Sequence, residues 1–163
     1  MRAPIAPAPG VEAEWRVARC IHMTVDGLTD AEIAVLLRRI RRVAVVGASA
    51  RPERPSHHVT AFLVGCGYEV APVNPGLAGQ TLHGRRVVAT LADAAPLQMV
   101  DVFRASGQAG AVVDDAIRLG AEAVWMQLGV IDEAAAARGR AAGLTIVMDR
   151  CPAIEAPRLG IFA

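Results

Sequence analysis

The chain has 163 residues, 53% of them hydrophobic and 20% charged, which is the size and balance of one domain with a core of its own and excludes a disordered chain. Its 17 basic residues nearly cancel its 16 acidic ones, so there is no general field for nucleic acid or an anionic membrane. Every basic residue is arginine, which excludes mechanisms built on a Schiff-base or P-loop lysine.

Residues 1–28 read as an extension. Pro4, Pro7 and Pro9 break regular structure at its start, Glu12 to Met23 has the makings of a short helix, and Trp15 is available to pack on the body. The patterned sequence begins just after Met23, which makes that residue a second candidate start. No stretch near the beginning has the uninterrupted apolar run of a signal peptide, and none elsewhere reaches the roughly 18 residues needed to cross a bilayer. With three widely spaced cysteines (Cys20, Cys66, Cys151) and no metal-ligand spacing, the sequence points to a soluble, cytoplasmic protein.

The domain proper is expected over residues 29–163. Thr29-Asp30-Ala31-Glu32 is a capping box, and Ile33, Leu36, Leu37 and Ile40 follow on one helical stripe. Arg38, Arg39, Arg41 and Arg42 close that helix as favourable charge at its C-terminus and a solvated face. Apolar runs at Val43–Val46, Tyr68–Val73, Met99–Phe103, Ala123–Met126 and Leu144–Met148 then alternate with helical stretches at Ser56–Val64, Gln108–Leu119 and Asp132–Ala142. The runs lack polar alternation, as strands covered on both faces do. Gly65, Gly67, Gly120 and Gly143 stand where the helices should end, and Val87–Ala89 is a candidate edge strand. The series predicts an α/β fold, a three-layer doubly wound parallel sheet of Rossmann-like type with right-handed crossovers.

In such a sheet ligands bind beyond the C-terminal strand ends. That rule gathers Gly47-Ala48-Ser49, Asn74-Pro75, Phe103-Arg104, Gln127-Leu128-Gly129 and Asp149-Arg150-Cys151 around one crevice. Gly47 lets the backbone turn against a ligand, Ser56 is a candidate N-cap whose helix start suits a phosphate, and Arg51 and Arg54 can add charge-assisted hydrogen bonds. The dinucleotide fingerprint is not met: Ser49 and Pro52 stand where glycines belong. Asn74-Pro75 also stands where an NAD site wants an acid, and Glu69 precedes the apolar run of its strand.

The segments Val43–Ser49, Arg54-Pro55-Ser56, Val73-Asn74-Pro75, Val100–Arg104, Trp125–Gly129 and Met148–Cys151 resemble, in order, the small stand-alone CoA-binding proteins. Those share their fold with the CoA-binding domain of the succinyl-CoA synthetase alpha subunit. The resemblance runs from about Thr29 to Leu159. It implies coenzyme A across the strand ends, with Gly47, Ala48, Ser49, Pro55 and Ser56 at the pyrophosphate and Asn74 and Pro75 beside the adenosine. Phe103, Arg104, Gln127, Leu128 and Gly129 would line the far side, and Arg51, Arg54 and Arg104 would meet the phosphates. Where family members often read Ile-Glu-His, this chain has Ile154-Glu155-Ala156-Pro157, so that histidine's role does not carry over.

Other candidates have ordinary readings beside the functional ones. Cys151 follows a strand end and could meet a ligand thiol, but lone cysteines are commonly small buried hydrophobes. Cys66 and Trp125 read as packing. His57 and His58 sit in the first turn of a helix, where surface or capping roles outweigh phosphate contact, and His22 and His83 are too scattered to argue a metal site. Asp101 interrupts an apolar strand and needs a partner, for which Arg104 or a backbone amide is expected. The sequence therefore predicts a non-catalytic module for CoA or an acyl-CoA, binding or regulatory, that touches neither nucleic acid nor membrane and is a possible homo-oligomer. The alternatives are a CoA-binding subunit of a multi-chain acyl-CoA ligase or transferase, with a synthetase-type partner chain, and an NAD(P)-binding oxidoreductase remnant. No triad, metal cluster or paired carboxylate is legible.

Overall fold

In the computed structural model, which describes residues 24–162, helix α1 (Asp30–Arg39) starts on the capping box the sequence spells out. The Glu32 amide donates to the Thr29 hydroxyl at 3.3 Å and the Thr29 amide to the Glu32 carboxylate at 2.8 Å. Ile33, Leu36 and Leu37 are buried on its inner face, and Ile40 follows as the C-cap. Each such side chain withdrawn from water contributes about 1.5–3 kcal/mol. The proposed extension helix with Trp15, Cys20 and His22 lies outside the described residues. Thr24–Leu28, on the extension side of the expected boundary, folds onto the body: Asp26 is buried and bonded to Arg150.

The chain then alternates strand and helix through β1 (Arg42–Val46), α2 (Pro55–Gly65), β2 (Glu69–Val73), the short pair β3 (Thr81–Leu82) and β4 (Arg85–Arg86), β5 (Met99–Val102), α3 (Ser106–Arg118), β6 (Ala123–Met126), α4 (Glu133–Ala141), β7 (Thr145–Val147) and α5 (Pro152–Arg158). Five parallel strands form one sheet in the order β2-β1-β5-β6-β7. Side chains alternate faces along each strand. Val43, Val45, Met99 and Trp125 therefore enter a core under α1, α2 and α5, while Ala44, Val100, Val102, Val124 and Met126 enter another under α3 and α4. Helices on both faces make the three-layer, Rossmann-like α/β arrangement.

Three local expectations are corrected. Val87–Ala89 forms no edge strand; Val88 makes a single bridge to Val73, and the small antiparallel pair lies earlier, at β3 and β4. Gly65 is the last residue of α2 rather than its cap, and the left-handed position falls to Gly67 at φ 86°. Ser56 is not an N-cap. Pro55 occupies the first helical position, where its fixed φ suits a helix start, and this makes Arg54 the N-cap, with no side-chain cap bond.

Candidate functional site

The sheet changes direction between β1 and β5: the chain leaves β1 toward β2 on one side and continues from β5 toward β6 on the other. That switch point is where open α/β sheets hold ligands, and a cavity of about 500 Å³ opens there. Its floor is the turn at Gly47. With φ at 88°, Gly47 places its amide on the Val73 carbonyl at 3.1 Å, while the Phe103 amide donates to the Val46 carbonyl at 2.9 Å. A Cβ on Gly47 would run into the Phe103 carbonyl oxygen. The ends of β1, β2 and β5 are thus drawn together at a point only glycine can occupy.

Asn74 fixes the loop above that floor. Its Nδ2 donates to the Ala48 carbonyl at 2.7 Å, and its Oδ1 accepts from the Gly76 amide at 2.9 Å. The Ser49 hydroxyl accepts from the Arg51 amide at 3.1 Å, and His57 Nδ1 donates to the Ser49 carbonyl at 3.1 Å. In the first turn of α2, Pro55 has no amide hydrogen and the His57 amide is taken by the Arg54 carbonyl at 3.0 Å. Among the described residues the Ser56 amide has no hydrogen-bond partner.

Of the residues nominated from sequence, Gly47, Ala48, Ser49, Arg54, Pro55, Ser56, Asn74, Phe103, Arg104, Gln127 and Leu128 line this cavity together. Arg51, Pro75 and Gly129 do not. Arg51 lies exposed on the outer loop and Pro75 starts an exposed 3₁₀ turn. Gly129 turns away at φ 77°, its amide given to Asp149 Oδ1 at 2.7 Å. Val59, Ala105 and Val130 complete the wall and were not nominated. Val59 was findable, one helical turn beyond Pro55 on the same face.

The fifth strand-end segment, Asp149-Arg150-Cys151, divides. Cys151 reaches the cavity wall, and burial pushes its thiol up, so it is protonated at neutral pH. Arg150 turns the other way, into a buried ion pair with Asp26. Asp101 pairs with Gln127 Nε2 at 2.7 Å and not with Arg104. His83, remote in sequence, packs on His57 with ring centroids 4.3 Å apart, yet among the described residues no group of His, Cys, Asp or Glu is placed to hold a metal ion.

The electrostatics of the cavity favour an anion. Arg54 and Arg104 line it, and neither makes an ion pair among the described residues, a property they share with Arg38, Arg41, Arg51, Arg85, Arg86 and Arg140 outside it. A second hollow of about 450 Å³ lies at the opposite ends of β1 and β2, lined by Arg85 and by Arg42, the latter paired with Glu69 at 2.7 Å. Glu69 at that remote end also leaves the cavity without an acid from β2 for ribose hydroxyls.

A parallel α/β sheet with a glycine floor at its switch point defines a Rossmann-like domain. The CoA binding domain family matches residues 41–157, and the chain belongs to that family. An uncharacterized protein of Bacillus subtilis, YneT, is 38% identical over 124 residues, spanning 76% of this chain and 90% of that one. Among solved structures, a hypothetical protein from Pyrococcus horikoshii OT3 superposes with a TM-score of 0.77 at 38% identity, over 82% of this chain and 94% of that one. A Thermus thermophilus protein superposes with a TM-score of 0.76 at 34% identity, over 81% and 99%. No helix among the described residues is long and apolar enough to cross a membrane.

Proposed function

We propose that the switch-point cavity binds coenzyme A or an acyl-CoA, and that the chain is a binding or regulatory module of the cytoplasm rather than an enzyme in itself. The observation that carries this reading is the pair Arg54 and Arg104, without a carboxylate partner among the described residues and lining one cavity with the Gly47 turn. CoA is a polyanion with an extended amide-bearing arm, and the cavity offers both halves of the matching chemistry. Guanidinium groups, the Ser56 amide and a floor without a side chain line it together with Val59, Phe103, Val130 and Cys151. Its volume lies within the range of small-molecule sites, about 300–1,000 Å³.

In this reading Arg54 and Arg104 neutralise phosphate, Asn74 holds the Ala48 carbonyl so that the loop keeps its shape, and the apolar wall excludes water from the arm. Calorimetric titration with CoA, acetyl-CoA, NAD and NADP tests it. Binding of CoA or acetyl-CoA with no response to the dinucleotides is expected. Binding of NAD or NADP in preference would overturn the proposal.

A further inference from the structure

Among the described residues, Asp101 is the buried acidic residue whose bonding is incomplete. It sits on β5, in register between Val45 of β1 and Trp125 of β6, with 0% of its surface exposed. Its Oδ1 accepts from Gln127 Nε2 at 2.7 Å, and its Oδ2 has no partner among the described residues. The nearby indole cannot serve, because Trp125 Nε1 donates to the Arg150 carbonyl at 2.7 Å. Val45 and Trp125 carry no charge, and the titratable side chain whose proton feels Asp101 is the Cys151 thiol. Buried carboxyl oxygens without partners are rare in folded proteins and call for a reason.

Gln127 is the link to the ligand side, since it lines the cavity from the end of β6. An ionised carboxylate only accepts hydrogen bonds, so it holds the Gln127 amide one way round, N–H toward Asp101 and Oε1 away from it. A protonated Asp101 has a hydrogen to give, and Gln127 can then turn over and offer its NH₂ to the cavity instead. We propose that Asp101 is a positioning residue that sets the polarity Gln127 presents to the cavity, with the ionised form presenting Oε1 as an acceptor for an amide N–H of the ligand. The ligand named here rests on the CoA reading, whose pantetheine arm carries such amides; the coupling of Asp101 to Gln127 does not. Burial, opposed by the Gln127 hydrogen bond, pushes the Asp101 carboxyl up to about 7, which puts the changeover near neutrality.

Two measurements test this. In the ligand-free protein, the Gln127 side-chain amide is followed by ¹H–¹⁵N spectroscopy from about pH 5 to about pH 9. A titration centred near neutrality is expected in the wild type and its loss in Asp101→Asn; a wild-type amide that does not respond overturns the proposal without recourse to a variant. CoA affinity is then measured by calorimetry over the same range. The CoA 3′-phosphate titrates in that window with both proteins, so the difference between the proteins isolates Asp101. The gain in affinity from the acidic to the basic end should be about fivefold larger in wild type than in Asp101→Asn, one neutral hydrogen bond's effect. Superimposable profiles would overturn the positioning role while leaving the CoA reading intact. An amide that titrates in a protein with no affinity for CoA would overturn the ligand assignment and leave the coupling standing.

Discussion

Arg150 and Asp26, 124 positions apart, form a buried ion pair in which Nε donates to Oδ2 at 2.9 Å and Nη2 to Oδ1 at 3.2 Å. The same guanidinium donates to Glu155 at 3.2 Å and to the Leu28 carbonyl at 2.8 Å, and the Met148 amide completes the Asp26 carboxylate at 3.2 Å. One arginine therefore ties the segment before α1 to the end of β7 and to α5. Arg150→Met would leave the buried Asp26 carboxylate without a cation, while Glu155 keeps Arg158 at 2.6 Å, and a loss of about 3–5 kcal/mol in urea unfolding is expected. Burial pulls the Asp26 carboxyl up, but Arg150, the Leu28 amide, the Thr24 hydroxyl and the Met148 amide outweigh it and hold it below its ordinary 3.8. Its contribution is thus complete above that ordinary value and is lost as the pH falls through the lower folded one. Thermal unfolding of Asp26→Asn should lack this acid-sensitive component; curves parallel to wild type through that range would refute the assignment.

The arginines of the cavity should separate from the arginine outside it. Sequence alone made Arg51 and Arg54 equal candidates, but only Arg54 lines the cavity, with Arg104. Arg54→Ala and Arg104→Ala should each weaken CoA binding about fivefold, roughly 1 kcal/mol for exposed charges, and the loss should shrink in high salt. Arg51→Ala should leave affinity nearly unchanged. Calorimetry at low and high salt decides it, and equal losses at all three positions would place the phosphates on the outer loop.

The difference between Arg51 and Arg54 shows what could be read without coordinates. The five sheet strands were legible because doubly covered strands are uninterrupted apolar runs, and observed boundaries differ by at most one residue at either end. The strand-end rule then collected most of the cavity wall, because it depends on topology and not on side-chain direction. What it could not supply was direction. Pro55 shifts the helix start by one position, moves the cap from Ser56 to Arg54, and leaves Arg51 pointing outward. The Asp26–Arg150 pair and the packing of His83 on His57 join residues with no periodic relation in sequence, so nothing local announces them.

Asp101 should make the folded protein prefer lower pH over a defined window. With its carboxyl pushed up to about 7 from an ordinary 3.8, the folded state keeps a proton that the unfolded chain releases. Stability from this group therefore declines as the pH rises from near the ordinary value to near 7, then levels. Asp101→Asn keeps the shape and a carbonyl acceptor for Gln127 but carries no titrating proton. Its stability relative to wild type should improve steadily across that window, measured by urea unfolding at several pH values. A constant difference between the two proteins would mean that Asp101 is not titrating there.

Gly47 and Gly129 offer a paired test of the cavity floor, since both hold left-handed backbone, at φ 88° and 77°. Around Gly129 an added Cβ meets nothing within 4 Å, whereas at Gly47 it strikes the Phe103 carbonyl oxygen. Gly129→Ala should therefore cost only the backbone strain, about 1–2 kcal/mol, and leave CoA affinity within about twofold. Gly47→Ala adds a clash with backbone that can yield only by parting β1 from β5. A loss of stability at least about 1 kcal/mol greater is expected, with CoA affinity down more than about tenfold. Urea unfolding measures the first difference and calorimetry the second. Should the two variants lose equal stability, or Gly47→Ala bind CoA as wild type does, the closeness of the β1 and β5 ends would not be what shapes the site.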